Sequence, residues 1–98
     1  MFGIEKKYID FIIDVLNKSI NNNAKYYIYG SRAKGSYKQY SDIDIAIDNE
    51  TEIPANVIAK ISADFENSTL PWKVDVIDLN SIDENFKKLI RDDLKKIN

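Results

Sequence analysis

The chain contains no cysteine and no histidine. Without cysteine there is no disulfide, no thiol nucleophile and no Cys-based zinc site. Without histidine, Ser-His-Asp hydrolysis and imidazole acid/base chemistry are excluded within this chain. Any catalysis must run on carboxylates, lysine, tyrosine, hydroxyls or a hard metal held by oxygen. No apolar run approaches the ~20 residues that cross a membrane, so no membrane association is expected. The opening Met1-Phe2-Gly3-Ile4-Glu5-Lys6-Lys7 lacks the charged-then-apolar order of a signal peptide; cytoplasmic residence is expected. Positive charge is not in excess either. Fourteen Lys and Arg against 16 Asp and Glu leave a net charge of -2, so direct nucleic-acid binding through a broad electrostatic grip is not expected. One local basic cluster exists, at Arg32, Lys34 and Lys38.

What is present fits one small globular domain over residues 1–98. The apolar share is 44%, normal for a packed fold, although a domain of this size buries only about 60–65% of its unfolded surface. Residues 4–20 read as a helix, because Ile9, Ile12, Ile13, Leu16 and Ile20 make one apolar stripe. Asn21-Asn22-Asn23 breaks it. Lys25 to Tyr29 is aromatic and β-branched, hence a strand that stops at Gly30-Ser31. From Ser41 to Asp48 the chain alternates strictly, with Ile43, Ile45 and Ile47 on a dry face and Asp42, Asp44, Ala46 and Asp48 on the other. Pro54 opens a further helix with Val57, Ile58, Ile61 and Phe65 inward. Lys73 to Leu79 reads as a third strand. Ser81-Ile82-Asp83-Glu84 matches a capping box, and Phe86, Leu89, Ile90, Leu94 and Ile97 continue a final helix. The expected class is α/β (α+β), with helices around a small three-stranded mixed sheet whose strand directions the sequence leaves open.

Asp42 and Asp44 are the sharpest chemical feature. Residues i and i+2 of a strand share a face, with Cα atoms roughly 6.5–7 Å apart. Like charges so placed repel unless a cation lies between them, and Mg²⁺ takes one or two carboxylates plus substrate phosphates. Taken alone, the pair reads as the solvated face of an antiparallel strand. Gly30-Ser31 adds weight to the cation reading. A glycine directly after a strand permits a tight turn and close ligand approach. A short helix opened by Ser31-Arg32-Ala33-Lys34 would present free N–H groups to an anion, with the Ser31 hydroxyl as a further donor. Read without its neighbours, this is an ordinary turn with an N-cap serine. A Walker A loop is excluded. Gly30 and Gly35 have its G-x-x-x-x-G spacing, but Ser36 follows directly and the lysine is missing.

Gly30-Ser31, ten intervening residues, then Asp42-Ile43-Asp44-Ile45 resembles the signature of the DNA polymerase β-like nucleotidyltransferase superfamily. The fuller string Tyr29-Gly30-Ser31-Arg32-Ala33-Lys34-Gly35, then Tyr40-Ser41-Asp42-Ile43-Asp44-Ile45-Ala46-Ile47, is similar to the minimal nucleotidyltransferases (MNT). Leu70-Pro71-Trp72-Lys73 and Val74-Asp75-Val76-Ile77-Asp78-Leu79 stand where that family has its third carboxylate. The resemblance spans about residues 26–97 and implies a role for each matching residue. Gly30 and Ser31 would hold the β/γ-phosphates of ATP, with Arg32 beside them. Asp42, Asp44 and Asp75 would bind two Mg²⁺ ions, and Asp75 would also help to deprotonate the acceptor hydroxyl. Arg32, Lys34 and Lys38 would neutralise triphosphate, unless they are a solvated loop face.

The resemblance extends to partners. A stand-alone MNT is similar to the antitoxin half of HEPN–MNT toxin–antitoxin pairs, in which adenylate passes from ATP to a tyrosine of a HEPN ribonuclease. The alternatives are transfer to a small-molecule hydroxyl such as an aminoglycoside, with a dimer building the cleft, and a non-enzymatic module that occludes its toxin. Tyr26, Tyr27 and Tyr29 read as core or sheet cover, since aromatics favour strands; Tyr37, Tyr40 and Trp72 are open between packing and partner contact.

Overall fold

The structure is a computed structural model that describes residues 2–21 and 23–98. Helix α1 spans Lys6–Asn17, strand β1 Lys25–Tyr29, the single-turn helix α2 Ser31–Lys34, strand β2 Ile43–Asp48, helix α3 Ala55–Glu66, strand β3 Val74–Asp78 and helix α4 Glu84–Ile90. A 3₁₀ turn at Arg91–Asp93 leads to a short strand β4, Lys95–Lys96. The four strands form one mixed sheet in the order β3-β2-β1-β4. β1 is antiparallel to both β2 and β4, and β3 is parallel to β2. Parallel neighbours need a crossover, and α3 is that crossover.

The apolar stripe of α1 does what its spacing requires. Ile9, Ile12 and Leu16 are buried, and Ile20 is buried just beyond the helix. The helix is shorter than residues 4–20, because the backbone closes into a turn in which Ser19 N–H and Ile20 N–H both donate to the Leu16 carbonyl. Of the break at Asn21-Asn22-Asn23, Asn22 lies outside the described residues, as does Met1. Ile43, Ile45 and Ile47 are fully buried on one face of the sheet, together with Tyr26, Ile28 and Val74, beneath α1 and α3 through Ile12, Leu16, Ile61 and Phe65. Ile45 lies at the middle of β2, an interior strand. Ile45→Ala is expected to cost about 2–5 kcal/mol, visible in urea unfolding as a lower midpoint at unchanged slope.

The opposite face is smaller and only partly covered. Tyr29, Ala46, Leu79 and Ile90 form its buried cluster, with Tyr27, Ile77, Ile82 and Leu94 packed around it. The alternation in β2 is therefore real, but its second side is not uniformly solvated: Ala46 is fully buried there.

Three expectations are corrected. The sheet has four strands, not three. The final helix ends at Ile90 rather than running to Ile97, because the outer edge of β1 carries unpaired backbone groups. The tail satisfies them: Ile97 N–H donates to the Tyr26 carbonyl at 2.9 Å, and the Asn98 side chain accepts from Tyr26 N–H at 2.9 Å and donates to the Ala24 carbonyl at 3.0 Å. The capping box also does not form. α4 begins at Glu84 with Asp83 as its N-cap, the Asp83 carboxylate accepting from Asn85 N–H at 3.2 Å. Ser81 Oγ is used instead on the Asp78 carbonyl, at 3.3 Å.

Candidate active site

The site lies where the cover of the second sheet face ends. Pairing sets Tyr29 on β1 opposite Asp44 on β2, and Asp44 opposite Asp75 on β3. Paired residues share a face, so Tyr29, Asp44 and Asp75 form one row across three strands, each strand about 4.8 Å from the next. Asp44 is half-buried and Asp42 exposed. Asp75 is half-buried, its side chain 45% exposed, with Lys73 Nζ 3.7 Å from Oδ1. Asp78, three residues on, faces the other way and is buried at 4% exposure. It accepts from Ile53 N–H at 2.7 Å and from Asn80 N–H at 2.9 Å. Asp75 thus joins the acidic row, and Asp78 fastens the loop that leads into α3.

The electrostatics of the row are those of crowded negative charge. The Asp44 carboxyl is raised above its ordinary value, first by burial, then by the charges of Asp75 and Asp42; Lys73 opposes this weakly. Tyr29 is pushed up to about 12, first by burial and then by the charges of Asp44 and Asp75. Its ring is also met edge-on by Phe86, 6.3 Å between centroids.

Gly30 turns the chain out of β1 with φ 74° and ψ -151°, a conformation for glycine. A Cβ at this position would lie 2.5 Å from Asp44 Oδ2. The Gly30-Ser31 turn is therefore pressed directly against the central acid, which ties the two parts of the motif into one place. Ser31, half-buried, starts α2.

Among the described residues no three acids are gathered tightly enough to hold a metal by themselves. The donor set nevertheless fits Mg²⁺. It offers neighbouring carboxylates, one of them with its carboxyl raised by burial and by its neighbours' charge, beside the glycine turn, and Mg²⁺ draws its remaining ligands from phosphates and water.

Arg32 is not where its basic character suggested. It is 2% exposed, and its guanidinium donates to the carbonyls of Ser41, Phe2 and Gln39. Those donors are spent on backbone, so the expectation that Arg32 lies on the triphosphate is revised. Lys34 pairs with Asp93 at 3.5 Å, while Lys38 is exposed. The first-strand tyrosines pack as expected; Tyr26 is fully buried and donates to Asn17 Oδ1 at 2.7 Å. Trp72 packs edge-on against Tyr8 and donates from Nε1 to the Gln39 carbonyl at 3.0 Å. Tyr40 stays 68% exposed. At the end of α3 and the approach to β3 a cavity of about 430 Å³ opens, lined by Ser62, Phe65, Glu66, Leu70, Trp72 and Lys73 among others. Nothing in the linear sequence marked that cavity, since both segments supply its walls.

By fold and by motif the chain falls in the nucleotidyltransferase class. Comparison with known proteins makes this specific. The chain matches the Polymerase beta, Nucleotidyltransferase family over residues 10–97, and it belongs to that family. It is 40% identical over 63 residues to the "Probable protein adenylyltransferase MntA" of Haemophilus influenzae, a stretch that makes up 64% of this chain and 55% of that protein. The chain thus matches little more than half the length of that relative. Its fold is similar to that in a crystal structure of a toxin–antitoxin with AMP-PNP, with TM-score 0.76 and 25% identity over 91% of this chain and 71% of that one. It is similar also to a mutant of the toxin–antitoxin MntA-HpeT, with TM-score 0.73 and 21% identity over 91% and 70% of the two chains, a likeness that speaks to the fold alone. No helix among the described residues is long and apolar enough to cross a membrane.

Proposed function

We propose that this chain transfers adenylate from ATP to a protein hydroxyl, a tyrosine of a HEPN-type toxin, and so acts as an antitoxin. The observation that carries the reading is the row of Asp44 and Asp75 on paired strands, with the Gly30-Ser31 turn pressed against Asp44. In this reading Gly30 lets the β/γ-phosphates approach the backbone, and Ser31 Oγ donates to one of their oxygens. Asp42, Asp44 and Asp75 hold two Mg²⁺ ions. Bound Mg²⁺ supplies charge stabilisation to the entering and leaving oxygens. The acceptor oxygen bonds to the α-phosphorus as the bond to the bridging oxygen of the β-phosphate breaks, and pyrophosphate leaves. The hydroxyl proton passes to the Asp75 carboxylate, which lies in the row beside Asp44.

The partner is supported by the relatives: one is named a protein adenylyltransferase, and one solved neighbour is a toxin–antitoxin with AMP-PNP. A protein acceptor, rather than an aminoglycoside, is supported by the name of that same adenylyltransferase relative. Retention of all three acids weighs against a module that only occludes its partner.

The test is to incubate the chain with the protein encoded beside it, ATP and Mg²⁺, and to search the neighbour for adenylate by mass spectrometry. The expected result is modification at tyrosine, abolished by EDTA. Efficient adenylation of a small molecule, with none on the neighbour, would replace this reading with the small-molecule one.

A further inference from the structure

Arg32 follows Ser31 in the chain, yet its side chain turns into the protein. A buried guanidinium is costly unless its donors are matched. Here they are matched by three carbonyls from two separate segments. Nη1 donates to Phe2 O at 2.9 Å, Nη2 to Gln39 O at 3.1 Å and Nε to Ser41 O at 3.0 Å. The rings of Tyr37 and Trp72 lie 5.0 and 5.4 Å from the guanidinium carbon, within cation–π range. Trp72 Nε1 donates to the same Gln39 carbonyl. Ser41 is held further by its own loop: its hydroxyl accepts from Lys38 N–H at 2.7 Å, and its N–H donates to Lys38 O at 3.1 Å. The residue after Ser41 is Asp42.

From this arrangement we propose that Arg32 is a positioning residue that clamps the Gly30-Ser31 turn to Asp42, bridging the segment between them, and so sets the spacing between the phosphate-holding turn and the first metal-binding carboxylate. The proposal rests on the reading that both belong to one Mg²⁺-nucleotide site. Arg32 touches neither nucleotide nor metal. It acts through the Ser41 carbonyl, and its planar fork is what serves three acceptors at once. A lysine there keeps the charge but cannot span them.

The test uses the whole chain with Arg32→Lys and Arg32→Ala, the lysine variant carrying the result where the alanine variant does not fold. Amide hydrogen exchange over residues 38–42 is expected to quicken by about tenfold or more in Arg32→Lys, while β1 and β2 keep their protection. Apparent Mg²⁺ affinity, read by calorimetry at saturating AMP-PNP, is expected to fall about 10–100-fold, the range for losing an outer-shell support of a metal ligand. Affinity for AMP-PNP in EDTA is expected to stay within about twofold, because the phosphate turn keeps its own contacts. Equal losses of nucleotide and Mg²⁺ affinity would overturn the proposal in favour of direct phosphate contact. Unchanged exchange at residues 38–42 would overturn the clamp itself. A wild-type chain with no Mg²⁺-dependent nucleotide binding would sink the nucleotidyltransferase reading instead, and the exchange measurement would still decide the clamp.

Discussion

Asp44→Ala and Asp42→Ala are each expected to abolish nucleotidyl transfer, by at least ~10³-fold, while Asp44→Asn raises the melting temperature of the metal-free protein. The rate loss follows from the several kcal/mol that metal ions contribute to transition-state charge, at about 1.4 kcal/mol per tenfold. The gain in stability follows from the position of Asp44, half-buried between the charges of Asp75 and Asp42. Its carboxyl is raised in the folded protein, so folding favours the protonated form. That contribution is complete below the unfolded carboxyl's value and is lost as pH rises through the raised folded value. At neutral pH the metal-free wild type therefore carries the full repulsion, and the amide of Asn does not. Each kcal/mol relieved corresponds to about 4–8 °C in a domain of this size. Calorimetry in EDTA at pH 4 and pH 7.5 checks this, with the advantage of Asp44→Asn larger at pH 7.5. Adding Mg²⁺ and AMP-PNP should reverse the order, since ligand binding stabilises only the protein that binds it. A variant no more stable than wild type in EDTA at neutral pH would refute the crowding of charge, and near-normal transfer would refute the metal assignment.

Much of this site was legible in the chain because period-two patterning fixes faces without reference to tertiary structure. Ile43, Ile45 and Ile47 place Asp42 and Asp44 on the opposite side from the main core, and Val74 and Val76 do the same for Asp75. The parallel direction of β3 was not read, although the helical stretch from Pro54 to Phe65 held the needed signal, a crossover between adjacent strands. Other features depend on contacts between distant residues and leave no local pattern. β4 is one: Leu94 and Ile97 are spaced as on a helix, yet the open edge of β1 captures the tail. Arg32 is another. Its motif neighbours suggest an exposed phosphate ligand, and only the convergence of Phe2, Gln39, Tyr37 and Trp72 makes it a buried brace. Asp83 displaces Ser81 as the cap because Ser81 is already engaged with Asp78.

Asp75 and Asp78 allow the sharpest separation of chemistry from architecture. The two carboxylates lie three residues apart on one strand and so point to opposite faces. Asp75 is paired with Asp44 in the register of β2 and β3, with its side chain 45% exposed. Asp75→Asn keeps its size and removes a base, so the transfer rate is expected to fall by at least ~10²-fold, the low end for general-base loss, with ATP binding largely kept and, because one of the charges crowding Asp44 is gone, a metal-free melting temperature no lower than wild type's. Asp78 is buried and holds the amides of Ile53 and Asn80. Asp78→Ala strands the buried Ile53 N–H, at about 1–3 kcal/mol for a buried group left unpaired, and releases the more exposed Asn80 N–H, so its melting temperature is expected to fall by about 4–8 °C per kcal/mol lost. Asp78→Asn retains one acceptor oxygen; it should unfold earlier than wild type, yet keep most of its activity at a temperature where it is folded. Rates measured at saturating Mg²⁺ and ATP, beside thermal unfolding of the same samples, separate the two roles. The opposite ranking, with Asp78→Asn inactive though folded and Asp75→Asn active, would mean that the reaction uses the α3 side of the sheet. The row built on Asp44 would then not be the site.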